Sequence, residues 1–280
     1  MEDAWYLYEA GGRIEVADED SLDEGALIAP LFPIILSFHQ DGKFIFIMPD
    51  EVREAFSCLD WDAELARARE VDGIIHFFDL ALDLRGVAYL SELMHEYVER
   101  YGESESVDIE ELGYSLLASG IGELIILDDE PVLVGMRVIS ALGHFPREEQ
   151  VEDEARYYLV EQGKKPIRPV PDELEDAGEV VEWMIDSPEA QALIAYLDEH
   201  VPEEEDEYFW AEDTVCMLID GFRAFVNPTE ALKDAFGEEM PFTEAQLKRV
   251  LDLSMALANA VPRWENNGWS PNELFSAMKR

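Results

Sequence analysis

Between Asp72 and Gly86 the chain places Ile74, Ile75, Phe77, Phe78, Leu80, Ala81, Leu82 and Leu84 on nearly every face of one predicted helix, capped by Asp72 and ended by Gly86. A helix that is apolar all round cannot lie on a surface. It has to be the buried centre of a domain, so the rest of the chain must supply elements that surround it. Residues 71–138 then read as helix, helix, helix, hairpin. A second helix runs from about Leu90 to Tyr101, and a third opens at Asp108, with Glu111 completing a capping box and Val107 and Leu112 in staple positions. Strands over Glu123–Leu127 and Pro131–Val138 pair around Asp128-Asp129-Glu130. Three helices followed by a hairpin is the order of a winged-helix-like module.

The flanking segments carry different signals. Pro33–Phe38 and Lys43–Met48 are β-branched and aromatic runs joined by His39-Gln40-Asp41-Gly42, which predicts a hairpin over 33–48. Pro49 ends it, and Asp50 can cap a helix with Val52, Ala55, Phe56 and Leu59 on one side. Beyond residue 146 the chain reads as mostly helical. Lys164–Pro171 is a proline-rich connector, and helix starts stand at Ser187, Asn227, Thr243 and Ser270, the last two with full capping boxes. The expected fold is therefore α+β and predominantly helical: an N-terminal α/β segment (1–70), a central winged-helix-like domain (71–145) and a helical C-terminal domain (146–280). A length of 280 residues suits about two domains of usual size.

Charge sets the function classes. The chain has 64 acidic and 20 basic residues, a formal net charge of −44. The excess is spread, with 5 basic against 17 acidic residues in 1–70, 3 against 15 in 71–145 and 12 against 32 in 146–280. Direct binding to nucleic acid or to an anionic membrane requires Lys and Arg, so both are excluded as expectations. The predicted recognition helix and the loop before it hold Glu103, Glu105, Asp108, Glu110 and Glu111 with no Lys or Arg, and their repulsion from phosphates outweighs one or two base contacts. With 48% hydrophobic residues and 30 aromatic side chains, the chain has the material for a core. Its acidic first residues, Met1-Glu2-Asp3, do not resemble a signal peptide, and no apolar run reaches the length of a membrane span, so a cytoplasmic location is expected.

No motif names a chemistry. His95 and Glu99, with Glu96 beside them, approach the H-E-x-x-H zinc pattern but lack its second histidine. Asp18–Gly25 starts like a calcium loop, yet Asp23 stands where glycine is required. Cys58 and Cys216 sit in apolar helical patterns and read as buried small hydrophobes. No G-x-S-x-G occurs, the five histidines are scattered, and Ala118-Ser119-Gly120-Ile121-Gly122 lacks the third glycine and the basic residue of a phosphate cradle. No catalytic, cofactor-binding or metal-ligating residue is assigned, and no cofactor is expected.

The ending from Asn259 to Leu274, N-x-x-P-x-W-x-x-x-G-W-S-P-N-E-L, reads as a fixed turn between two helices, with Trp264 and Trp269 as packed anchors and Gly268 at positive φ. It is similar to the C-terminal signature of a group of uncharacterised bacterial cytoplasmic proteins, some of which carry a SEC-C zinc motif. Ile47–Val52, Leu82–Gly86 and Pro166–Pro171 fit the same group more loosely. Ala260-Val261 stands where that group often has Asn-Thr, and the zinc-binding cysteines are missing, so the resemblance implies architecture without a metal or an activity.

Two function classes follow, with a third left open. The first is an acidic intracellular interaction or regulatory protein without catalytic activity, facing a protein partner that carries basic charge. The second is a nucleic-acid mimic that occupies the groove of a DNA- or RNA-binding protein; the third is an enzyme whose site is built from distant residues. The candidate interaction surface is Glu103, Glu105, Asp108, Glu110 and Glu111 together with Glu203, Glu204, Glu205, Asp206 and Glu207.

Overall fold

A computed structural model describes residues 2–17, 35–40, 42–102, 109–143, 145–200, 211–224, 228–236 and 242–277. The chain is predominantly helical with two small antiparallel sheets and divides into two compact units, residues 1–75 with 103–119, and residues 76–102 with 120–280.

The first unit holds α1 (Glu2–Glu9), β1 (Arg13–Ala17), β2 (Leu36–Gln40), β3 (Lys43–Ile47), α2 (Asp50–Phe56), the first half of α3 (Trp61–Arg85) and, from further along the chain, α5 (Ile109–Ser119). Its sheet has the order β1-β3-β2, with Ile14 opposite Phe46 and His39 opposite Phe44. The expected hairpin is present, with a tighter turn: strand pairing continues through His39 and Gln40, so Gln40 faces Lys43 across two residues. Ala4, Leu7, Phe46 and Met48 form a small core. Pro49, not Asp50, is the N-cap of α2, and Asp50 lies in the first turn, where Arg53 binds it at 3.0 Å.

The predicted central helix begins one segment earlier than Asp72. The Asp60 carboxylate accepts the Ala63 amide at 3.3 Å, so the helix starts at Trp61 and runs for 25 residues. The half in the second unit is the one that is apolar all round: Phe77, Phe78, Leu80, Ala81, Leu82 and Leu84 are all buried. In that unit follow β4 (Val87–Tyr89), α4 (Leu90–Tyr101), β5 (Gly122–Leu127), β6 (Glu130–Gly135) and α6 (Met136–Ala141). β4 is a strand the sequence reading lacked. It pairs with β6, giving the order β4-β6-β5. The β5–β6 turn is Asp128-Asp129, both at positive φ (53° and 68°), and Arg156 holds Asp128 at 2.8 Å. The second strand ends at Gly135 instead of Val138: the Met136 amide donates to the Ile121 carbonyl, and the backbone turns into α6.

The remaining helices are α7 (Glu148–Gln162), α8 (Asp172–Ala177), α9 (Val180–Ile185), α10 (Pro188–His200), α11 (Ala211–Arg223), α12 (Pro228–Phe236), α13 (Glu244–Ala260) and α14 (Pro271–Ala277), with a 3₁₀ turn at Trp264–Asn266. The two expected capping boxes form: Thr243 with Gln246, and Ser270 with Glu273. Among the described residues no helix is long and apolar enough to cross a membrane.

Candidate functional site

The all-apolar half of α3 carries two carboxylates, Asp79 and Asp83, one turn apart on the same face. Polar groups on such a helix need partners, and Asp83 has several. Arg223 from α11 donates to its carboxylate at 2.5 Å and also to its carbonyl, Arg137 from α6 approaches at 2.9 Å, and the Val180 amide at the start of α9 donates at 2.7 Å. The Trp264 indole donates to the same carbonyl at 3.2 Å, and the Arg223 guanidinium stands 5.4 Å from that ring's centre. Arg223 is 0% exposed. Asp220 and Glu179 complete the ring of charge, at 3.2 Å from Arg223 and 2.5 Å from Arg137 respectively. Four carboxylates thus meet two guanidinium groups.

That imbalance shifts the acids. Burial, then Asp83, pushes the Asp79 carboxyl above the ordinary carboxylate range. Burial also pushes Asp220 up, against the pull of Arg223 and Arg137. The same acids, Asp83 first, hold Arg137 above its usual value even though burial opposes its charge. Asp79, Asp83, Arg137 and Glu179 line a shallow cleft of about 360 Å³ with Leu82 and Gly135. Chemically, this is a compensated structural network with one surplus acid at its lip. Because the folded state raises its pKa, Asp79 binds a proton more readily folded than unfolded, so its contribution to stability falls as pH rises above the unfolded value of about 4. Asp79→Asn is therefore expected to raise Tm at pH 7 by about 1 to 2 °C, with the gain disappearing at pH 4 and below, as read by thermal unfolding across pH.

A second network fixes the connector. Arg168 is 9% exposed and grips both oxygens of Glu273 at 2.9 and 2.7 Å, between the rings of Trp183 and Trp269, whose centres are 5.1 and 5.3 Å away. The Trp269 indole donates to the Pro166 carbonyl at 3.0 Å, and Lys165 to the Glu265 carbonyl at 2.6 Å. Arg85, 1% exposed, binds the Arg168 carbonyl at 3.2 Å and Glu96 at 2.5 Å, and Glu96 in turn accepts the Val170 amide. Gln162 bridges the Arg85 and Trp264 carbonyls at 2.7 and 2.9 Å. The two tryptophans of the C-terminal signature are thus packed anchors, and Gly268 sits at φ +83° where a Cβ would come within 2.9 Å of Leu84. Arg168→Met is expected to cost about 2 to 3 kcal/mol in urea unfolding, because it takes the cation from Glu273, from the Gly268 carbonyl and from the two tryptophan rings while keeping the aliphatic volume.

The residues singled out from the sequence fare differently. Glu103, Glu105, Asp108 and Glu203–Glu207 lie outside the described residues, as does the calcium-like loop Asp18–Gly25. Glu110 and Glu111 stand in the first turn of α5. Glu96 is committed to Arg85 and Val170, while His95 and Glu99 are exposed and 3.4 Å apart. Cys58 is exposed, which corrects its reading as a buried residue: it follows α2 just past the Ser57 cap. Cys216 is half-buried, and burial, then Glu212, Asp213 and Asp220, push its thiol up, away from the reactive thiolate. Among the described residues no group of three His, Cys, Asp or Glu side chains could hold a metal ion. No family model, curated protein or solved structure matches the chain.

Proposed function

We propose that this is a non-catalytic interaction or regulatory protein that presents an anionic surface to a basic partner protein. The observation that carries the reading is the inward use of arginine. Only 14 arginines and 6 lysines accompany 64 acids. Arg85, Arg168 and Arg223 are buried, and Arg100, Arg137 and Arg263 are engaged by carboxylates or carbonyls. A surface made acidic only for solubility intersperses cations among its acids. Here three arginines are turned into the fold, and although Arg13, Lys43, Arg53, Arg156 and Lys164 stay at the surface beside single acids, the 64 acids far outnumber the cations left there and meet little competition for a basic partner.

Element order supports a winged-helix-like frame for this role. The order α3, β4, α4, α5, β5, β6 along the chain and the strand order β4-β6-β5 support that reading, with the strands and α4 in the second unit and α5 in the first. In that frame α5 is the recognition helix, and its stretch from 103 to 119 holds no Lys or Arg. DNA would meet carboxylates there, so the frame serves as a scaffold for protein docking.

The test is capture from a bacterial lysate on tagged protein at about 0.05 M and about 0.5 M salt, since screening at the higher salt weakens charge-driven contacts. The reading expects basic proteins that are retained at low salt and released at high salt, with added duplex DNA leaving them in place. Release by DNA at low salt would favour a nucleic-acid mimic instead. Retention of no basic protein at either salt overturns the reading.

A further inference from the structure

We infer that the groove between α4 and the connector 164–171 docks an extended, basic segment of a partner protein, with two cations about 10 Å apart and an aliphatic side chain between them. This rests on the reading of the chain as a partner for basic proteins and assigns the place where contact is made. The groove is open to solvent, spans about 1100 Å³ with its open side included, and is lined by Glu92, His95, Glu99, Arg100, Ile167 and Pro169, with Glu96 and Asp172 completing it.

Its charges are uneven. Arg100 is saturated, by Asp172 at 2.6 Å, Glu175 at 3.0 Å and the Val170 carbonyl at 2.6 Å. Glu96 is held by Arg85. Among the described residues, what remains is Glu92, and Glu99, whose carboxylate meets His95 at 3.4 Å. Burial raises the Glu92 carboxyl against the pull of Arg85, with Glu130 and Glu96 adding to the rise. Seven residues separate Glu92 from Glu99, which is two helical turns, so both face the same side about 10.5 Å apart along the axis.

The floor between them is apolar. Ile167 is 42% exposed although its neighbours Arg168 and Val170 are buried, and Pro169 is exposed beside it. A polyproline-type segment repeats every three residues with a rise of about 3.1 Å each, so cations at i and i+3 lie about 9 Å apart on one face, close to the spacing of the two acids. The Arg168 amide donates to the Asn267 carbonyl, the Val170 amide to the Glu96 carboxylate, and Arg85 and Arg100 donate to the Arg168 and Val170 carbonyls, which holds this wall of the groove in place before any partner arrives.

The experiment uses the full chain and a fluorescein-labelled hexapeptide, Gly-Arg-Leu-Pro-Arg-Gly, followed by fluorescence polarisation at about 0.05 M salt. The expected result is saturable binding that weakens at least tenfold in the Glu92→Gln/Glu99→Gln double variant and several-fold in Ile167→Ser. A charge-matched control, Glu148→Gln/Glu149→Gln on α7, should stay within twofold. All the substituted acids are exposed, and circular dichroism should show each variant folded. Absence of binding by the unaltered chain, or equal weakening in the two double variants, overturns the groove. A basic protein captured from lysate that binds the Glu92/Glu99 variant as well as the unaltered chain refutes the groove and leaves the broader reading standing. Loss of both lysate capture and peptide binding refutes both.

Discussion

Asp83→Ala is expected to lower the unfolding free energy by about 3 to 5 kcal/mol, measured by urea denaturation at neutral pH. The magnitude comes from what is left behind. Arg223 is fully buried and has Asp83 as its nearest counter-charge, at 2.5 Å, with Asp220 behind it at 3.2 Å. Removing Asp83 strands most of that charge away from water, leaves Arg137 with weaker partners and frees the Val180 amide that starts α9. Asp83→Asn keeps an acceptor for that amide and for one guanidinium, so it should cost less, about half as much. Combining Asp83→Ala with Arg223→Met should cost less than the sum of the two single changes, by about 1 to 3 kcal/mol, because the second change removes the stranded charge. Strict additivity would mean that the two residues do not act as a pair.

Gly86→Ala should be comparably severe, at about 2 to 5 kcal/mol, for reasons that are steric and conformational. Gly86 has φ +79°, which an alanine adopts only with strain, and its Cβ would lie 2.7 Å from Trp264 Cγ and 2.9 Å from a Val138 methyl. Neither neighbour can yield. The Trp264 indole is tied to Asp83, and its ring packs edge-on against Tyr158 at 5.9 Å. Introducing Gly86→Ala into a Trp264→Ala/Val138→Ala background separates the two causes: the atoms that the new Cβ would strike are absent there, while the φ strain remains. A residual loss of about 1 to 2 kcal/mol in that background is the expected result, from the same urea series.

What the sequence made legible was local, and what it hid was distant. The buried stretch of α3, the β2–β3 hairpin, the capping boxes at Thr243 and Ser270 and the turn around Gly268 all announce themselves within a few residues. The first half of α3 was hidden because Asp62–Glu70 alternates charges around Leu65, which masks its amphipathic pattern. β4 is three residues long, too short for a period to register, and Val132–Met136 is a run without a polar side chain in which strand and helix cannot be told apart without the Met136–Ile121 bond. Of the charge network, Asp79 and Asp83 were visible as two acids on an otherwise apolar helix. Arg137, Glu179 and Arg223 come from α6, the start of α9 and α11, and no local spacing connects them to α3. The groove along α4 was hidden: the near-miss around His95 lies on that helix, but the structural commitment of Glu96 and the opposing connector wall are tertiary facts.

The clasp between residues 263–273 and the region around Arg85 also has a consequence for the order in which the second unit can mature. Trp264, Gly268 and Glu273 supply partners to Asp83, Arg168 and Gln162, groups placed about 100 to 181 positions earlier in the chain. During synthesis those earlier groups emerge first and must wait, with Arg85, Arg168 and Trp183 already out of the ribosome but lacking their final neighbours. Helices α3 and α7 can form on their own schedule, yet their native burial is completed only when the last turn arrives. Ribosome-bound chains stalled before Trp264 should therefore remain sensitive to protease in this unit, and release of about a dozen further residues should close it in a single step.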